Sequence, residues 1–295
     1  MTLLDRLTSK EAAPYLFMAP AAIFGIGFFF GPLLFAAYVS LTNWDAASEP
    51  VWVGLANYIY LFTADRFFLA SIGNTFVFAA GSVAVGVPSA LVVAVLISRT
   101  KHEGFWRTVY WLPMITNIVA VAYIWWYILN DTSGILNRAL DLVGLPGPNW
   151  LTSTSFSMLS VIMVAAWMSV GQNVLLFLSG LKDIDESYYE AGRLDGANPF
   201  QLFWHVTIPL LRPTILFVLI TSLISSLSSF ALMMILTEGG PARSTTVTGL
   251  YLYDMAFTDL RLGRASAAAY VLFAIIFAVS LVQLRLLRRG GVEGH

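Results

Sequence analysis

The chain contains no cysteine. Disulfides and thiolate metal sites are thereby excluded, while the redox compartment is left open. Charge is scarce as well. Asp, Glu, Lys and Arg make up 11% of 295 residues, where soluble domains carry roughly 25%. That deficit is too large for a water-soluble fold. With 58% hydrophobic residues, the composition is that of a polytopic membrane protein. A net charge of −1 gives no case for nucleic acid. Histidine is limited to His102, His205 and His295, far apart and without metal-ligand spacing. Surface or interfacial placement accounts for all three, and no metal site is expected. Internal repeats and low-complexity segments are also missing, so one membrane domain is the simplest organisation.

What is present is a series of long apolar runs. Crossing a bilayer takes about 20 mostly apolar residues. Six stretches qualify, at about 15–41, 72–97, 108–129, 156–181, 213–236 and 266–287. The first exceeds the short apolar core, about 7–15 residues, of a cleaved signal, and is expected to persist as a helix. The expected division is a short segment 1–14, a transmembrane domain 15–287 and a tail 288–295. Basic residues concentrate in one set of connections. Arg6, Lys10, Arg99, Lys101, Arg107, Lys182, Arg193, Arg212, Arg285, Arg288 and Arg289 lie there, 11 of the 16. Arg66, Arg138, Arg243, Arg261 and Arg264 lie on the other side. The first set is therefore read as cytoplasmic, with both termini inside.

The interiors of the six runs hold no Asp, Glu, Lys or Arg. Ion-coupled transporters usually keep such a group buried for the proton or ion. A stand-alone secondary transporter of a neutral solute is thus the weaker alternative. An intramembrane enzyme would lack acid, base and nucleophile, and no catalytic residue is expected. The lysines are Lys10, Lys101 and Lys182, none following a glycine, so no phosphate-cradling GxxxxGK[ST] loop exists. Energy for uphill movement would have to arrive through a partner.

One polar segment stands out between the fourth and fifth runs, within 182–212. Ser187 followed by Glu190 fits a capping box opening a helix. Gly196 would end that helix. Asn198 and Pro199 would start a second one as N-cap and first residue. That second helix, Phe200 to about Thr207, is expected to stop before Pro209. Gly192 and Gly196 share a face that another backbone could approach closely. Two readings fit: the helices cap the membrane domain, or they dock on a partner.

The residues of this segment resemble a known family. Glu190-Ala191-Gly192, then Gly196, then Val206-Thr207-Ile208-Pro209 follow the EAA loop of membrane subunits of binding-protein-dependent ABC importers. The departures, Gly192, Val206 and Ile208, are small or apolar swaps. "VGLANY" from Val53, "FWRTVYWLPMITNIVAVAYIWWYILN", "GLKDIDESYYEAGRLDGA" and "ILTEGGPARSTT" from Ile235 resemble the carbohydrate-type branch, in the style of maltose and glycerol-phosphate permeases, over nearly the whole chain.

The resemblance implies an all-α polytopic fold of about six transmembrane helices, with a cytoplasmic coupling-helix loop between the fourth and fifth spans. Glu190, Ala191, Gly192 and Gly196 would contact an ATPase subunit, with Pro209 closing the segment. Asp195, beside Gly196, is a local addition that could bond at the junction. The implied partners are a second permease subunit, an ATPase dimer and an extracytoplasmic solute-binding protein. ATP and Mg would be bound by the ATPase, and no cofactor by this chain. The setting implied is the bacterial inner membrane. The outer connections at about 43–71, 130–155 and 237–265 are the expected receptor surface. Trp44, Trp52, Tyr58 and Trp150 there fit either that surface or the aromatic belt of a membrane.

Candidate pathway residues are neutral and polar. They are Asn117, Gln172 and Asn173, and the one-face series Ser222, Ser225, Ser226 and Ser229. Amides and hydroxyls suit a hydroxyl-rich, uncharged solute. Trp167, with Trp125 and Trp126, could stack on sugar rings. Helix packing is the competing explanation for each, because small-residue stripes and amides also join helices in membranes.

Overall fold

In lipid a backbone amide finds neither donor nor acceptor, so long apolar runs must satisfy their own hydrogen bonds as helices. The computed structural model describes residues 13–289, with only the helical backbone given for residue 13 and for 286–289. Arg6, Lys10, His295 and the expected terminal segments therefore lie largely outside the described residues. Helix α1 (Pro14–Ser40) contains a π-turn at Ile26–Phe30. A two-residue hairpin follows, with β1 (Thr42–Asn43) antiparallel to β2 (Val51–Trp52), pairing Thr42 with Trp52. Next come α2 (Ala56–Thr63), α3 (Arg66–Ser98), α4 (Glu103–Ile115), α5 (Ile118–Ile128) and α6 (Ile135–Leu142). Helix α7 (Ser157–Lys182) leads into α8 (Glu186–Leu194) and α9 (Pro199–Leu210). The rest is α10 (Arg212–Ser228), α11 (Ala231–Leu236), α12 (Thr248–Tyr253) and α13 (Leu262–Arg289).

Among the described residues four helices, α1, α3, α7 and α13, are long and apolar enough to span a membrane, and up to six spans result when each of the bent pairs α4–α5 and α9–α10 is taken as one. The chain is thus an all-α polytopic protein.

Two compact units make up the structure. The first comprises residues up to Arg66 together with Leu252–Val271. Its hub is Asn57, whose amide donates to the Ser40 and Thr42 carbonyls at 2.9 and 2.8 Å. Tyr58 donates to the Ser40 hydroxyl, and the Arg264 guanidinium stacks 3.8 Å from the Tyr60 ring centre.

The second unit holds Phe67–Tyr251 and the end of α13. Helix α3 buries one stripe here: Ser71, Thr75, Phe78, Ala79, Ser82, Gly86, Ala90, Ala94 and Ile97. The spacing of three and four is that of a single helical face. Most members are small, which lets backbones approach in a setting where no hydrophobic gradient pulls helices together. A Cβ on Gly86 would meet Ser169 and Ala166 of α7, and one on Gly171 would overlap the Tyr110 carbonyl of α4. Apolar packing forms two clusters. One joins Phe78, Leu129, Val161, Met233 and Leu250. The other joins Val87, Ala94, Phe177, Leu211 and Val218.

Several elements depart from the sequence reading. The third run is not one helix: α4 and α5 meet at 94° across Thr116 and Asn117. Pro113 weakens the end of α4, and the Asn117 side chain accepts the Val119 amide at 2.8 Å, capping a new helix. The fifth run stops at Ser228, since Ser229 is extended (ψ 138°) and α11 is separate. The second span starts at Arg66, earlier than expected. Ser187 is not the cap of α8; Asp185 is. Nor does Pro209 end α9, which reaches Leu210 because a π-turn at Phe203–Thr207 shifts the register just before the proline. Pro209 follows the π-turn at a first-turn position, where proline is tolerated.

Gly171→Ala should destabilise the fold by about 1–3 kcal/mol, because the added methyl must displace backbone rather than a side-chain end. Gly73→Ala is the control, since nothing lies within 4 Å of its Cβ position. Melting both variants in detergent checks this. Equal melting temperatures would refute the close α4–α7 contact.

Candidate functional site: a polar cavity and a helical loop

A cavity of about 290 Å³ opens between α3, α7 and α10, beside the α4–α5 break and the α10–α11 break at Ser229. Phe78 and Leu232 of one apolar cluster and Val87 of the other line it, so it lies where the two clusters part. The polar lining is Ser82, Ser169, Gln172, Asn173, Thr221, Ser222, Ser225, Ser226 and Ser229. Among the described residues, no lining group is ionisable. Met114 and Ile118, on either side of the α4–α5 break, complete the wall. Irregular backbone at membrane depth is tolerated where it borders such a cavity.

Hydrogen bonding leaves part of this lining unsatisfied. The Ser222 hydroxyl donates to the Asn173 carbonyl oxygen at 3.3 Å, and Thr221 donates to the Phe217 carbonyl. The Asn173 amide nitrogen and the Ser82 hydroxyl are buried without any partner among the described residues. Asn173 is 4% exposed and Ser82 5%. A buried donor left unmade costs about 1–3 kcal/mol. Both groups are therefore poised for a polar ligand or for water in the cavity.

Of the pathway candidates, Gln172, Asn173, Ser222, Ser225, Ser226 and Ser229 come together on this wall. Asn117 and Trp167 do not. Asn117 is occupied as the α5 cap, and Trp167 packs edge-to-face on Trp125 at 5.5 Å. Ser82 and Thr221 escaped the sequence reading. Each lies in a stripe of small residues that, as sequence, reads only as helix packing.

The polar loop forms a second feature. Asp185 caps α8, its carboxylate accepting the Ser187 amide at 2.8 Å. Bonds from Ser187, first its side chain and then its amide, hold this carboxyl below the ordinary 3.8. Helix α8 closes with a Schellman motif: the Ala197 amide bonds Gly192 O at 2.9 Å and the Gly196 amide bonds Arg193 O at 3.0 Å. Gly196 takes φ +81°, a conformation that costs other residues about 1–2 kcal/mol. Asn198 and Gln201 then form a reciprocal capping box on α9.

Side chains tie the two loop helices together. A Cβ on Gly192 would lie 2.6 Å from Leu202, so the glycine face is filled by α9 itself. Tyr189 and Thr207 hydroxyls bond at 3.1 Å. Glu190, Ala191, Asp195 and Gly196 remain exposed. So does Leu194, at 89%, which the sequence reading passed over. Pro209 lies in the last turn of α9.

A family model now decides the assignment. That of binding-protein-dependent transport system inner membrane components matches residues 83–289. The chain belongs to this family. The matched stretch runs from α3 through the cavity wall and the helical loop to the end of α13. Similar members include the probable ABC transporter permease protein YurN of Bacillus subtilis (strain 168), 35% identical over 97% of this chain and 100% of that one. The multiple sugar-binding transport system permease protein MsmF of Streptococcus mutans is 32% identical, over 92% and 94% of the two chains. A crystal structure of a bacterial ABC transporter involved in the import of the acidic polysaccharide alginate contains a chain of the same fold. It superposes with a TM-score of 0.83 at 24% identity, covering 98% of this chain and 99% of that one.

The Asp185 cap has a defined pH window. A lowered carboxyl contributes fully above its unfolded value of 3.8, and the contribution disappears as pH falls below that through the lowered value. Hydrogen exchange at the Ser187 amide, corrected for intrinsic rate, should quicken only below about pH 3.8. Quickening near neutrality would rule the cap out.

Proposed function

We propose that this chain forms half of the translocation pathway of an ATP-driven importer for an uncharged, hydroxyl-rich solute. Family membership supports the inner-membrane transport role. The single observation that carries the solute class is the cavity: hydroxyls and amides from α3, α7 and α10, no fixed charge in the lining, and two buried donors awaiting acceptors. A hydroxyl can accept from Asn173 and Ser82 and also donate to a serine, so it satisfies both kinds of group. The sugar named for MsmF agrees in class, whereas an acidic cargo such as alginate would want a cation that this lining does not supply.

The solute would pass between this chain and a second permease subunit, delivered by an extracytoplasmic binding protein. In this reading the exposed tip of the loop, Glu190, Ala191, Asp195 and Gly196, docks on a cytoplasmic ATPase that binds ATP and Mg. Gly192 and Pro209 act within the loop, one admitting Leu202 and the other sitting in the last turn of α9. Three features favour a loop able to transmit force: a Schellman end, a capping box and the Tyr189–Thr207 bond. The excess of basic residues on this side supports a cytoplasmic loop with both termini inside.

The test is ATP hydrolysis by the complex co-purified with this chain, reconstituted with its binding protein and offered neutral sugars, polyols and charged sugars. A neutral solute should stimulate it. Stimulation by charged solutes alone would overturn the solute class, and absence of any co-purifying ATPase would overturn the coupling role. Asn173→Leu and Ser82→Ala should each weaken solute stimulation by up to about tenfold, the worth of one neutral hydrogen bond. Gly196→Asp should abolish uptake with the protein still in the membrane. The space beside Gly196 is open, so the new side chain meets no clash; its left-handed backbone leaves some strain, and the amount of folded protein recovered from the membrane separates a docking effect from a folding one. Unchanged uptake would place the contact elsewhere.

A further inference from the structure

A second cavity, of about 410 Å³, lies where α3 and α7 end, α4 begins and the loop helices pass beneath them. Three cations line it, Arg99, Lys182 and Arg193, against two carboxylates, Glu103 and Glu186. Both carboxylates are already engaged: Lys182 pairs with Glu103 at 2.7 Å and Arg193 with Glu186 at 3.0 Å. Arg99 has no ion-pair partner among the described residues. The cavity therefore keeps one uncompensated positive charge, carried by a guanidinium whose planar fork fits two oxygens of one anion. Helix α4 opens on the same cavity at Glu103 and has no side-chain cap, so its first amides and its dipole add to the attraction.

We infer that this cavity binds a phosphate-bearing anion through Arg99. Phosphate is favoured over carboxylate by position. Arg99 and Lys182 stand at the ends of membrane-spanning helices, the level at which lipid phosphates lie, and soluble phosphate esters reach the same level from water. A ligand there touches α3 through Arg99 and α8 through Arg193, bracing the loop against the spans. This consequence for ATP use rests on the coupling role proposed above; the binding itself does not.

The experiment uses the complete complex in nanodiscs. In one arm the discs are pure phosphatidylcholine and glucose 6-phosphate is titrated calorimetrically. In the other, discs contain phosphatidylglycerol and retained lipid is counted by native mass spectrometry. At least one probe should bind, about tenfold more weakly or with lost retention in Arg99→Gln, and with partial recovery in Arg99→Lys. Arg99 is exposed and has no ion-pair partner among the described residues, so neither change threatens the fold. Binding of the sugar phosphate identifies a soluble ligand, and retention of the glycerophospholipid alone identifies a headgroup. If neither probe binds, or if Arg99→Gln binds both as the unaltered protein does, the proposal falls. Arg99-dependent binding with ATP hydrolysis unaffected keeps the site and removes its influence on coupling.

Discussion

Everything in this structure follows from the demand that a backbone in hydrocarbon supply its own hydrogen bonds. Long helices meet that demand automatically. Interruptions do not, and here they are met by particular residues. Asn117 caps the amide of Val119 where α4 ends, and the Ser229 amide turns back to the Ser226 carbonyl where α10 ends. Both interruptions border the polar cavity. The cavity and the broken helices are thus one feature: the breaks supply room and polarity, and the cavity removes the need to shield the breaks from lipid.

The same economy of small residues governs packing. Membrane helices gain little from burying apolar surface, so α3, α4 and α7 are held by close approach at Gly86 and Gly171. Serines and threonines on the same stripe do double work. Ser71 and Thr75 bond within the fold, whereas Ser82, about two turns further along the face, lines the cavity with its hydroxyl unpartnered among the described residues. A site here is a place where the packing stripe stops being satisfied.

How much of this was legible in the sequence depends on what each residue had to signal. Apolar run length gave the six spans, and Asn198-Pro199 and Gly196 gave the turn between the loop helices, because caps and left-handed positions are decided locally. The series Ser222, Ser225, Ser226 and Ser229 was also readable as polar groups on one face, and Gln172 and Asn173 as neutral polar groups within a span. The breaks at Thr116 and Ser229 were not, since hydropathy averages over a window and does not register a change of direction. Ser82 was invisible for another reason. Whether a serine in a small-residue stripe is satisfied depends on helices about 90 and 140 residues away in sequence, around Asn173 and Ser222. Asp185 overrode Ser187 as a cap because a charged acceptor lay two residues earlier, at the point where the backbone was already extended.

The neutrality of the cavity has an electrical consequence. Moving one elementary charge through a membrane potential involves about 2.3 kcal/mol per 100 mV. The groups lining this cavity carry none, and neither does a polyol held among them. On the function proposed above, rearranging this wall around an uncharged solute moves no charge through the membrane field, so the voltage the cell maintains would do no work on that step.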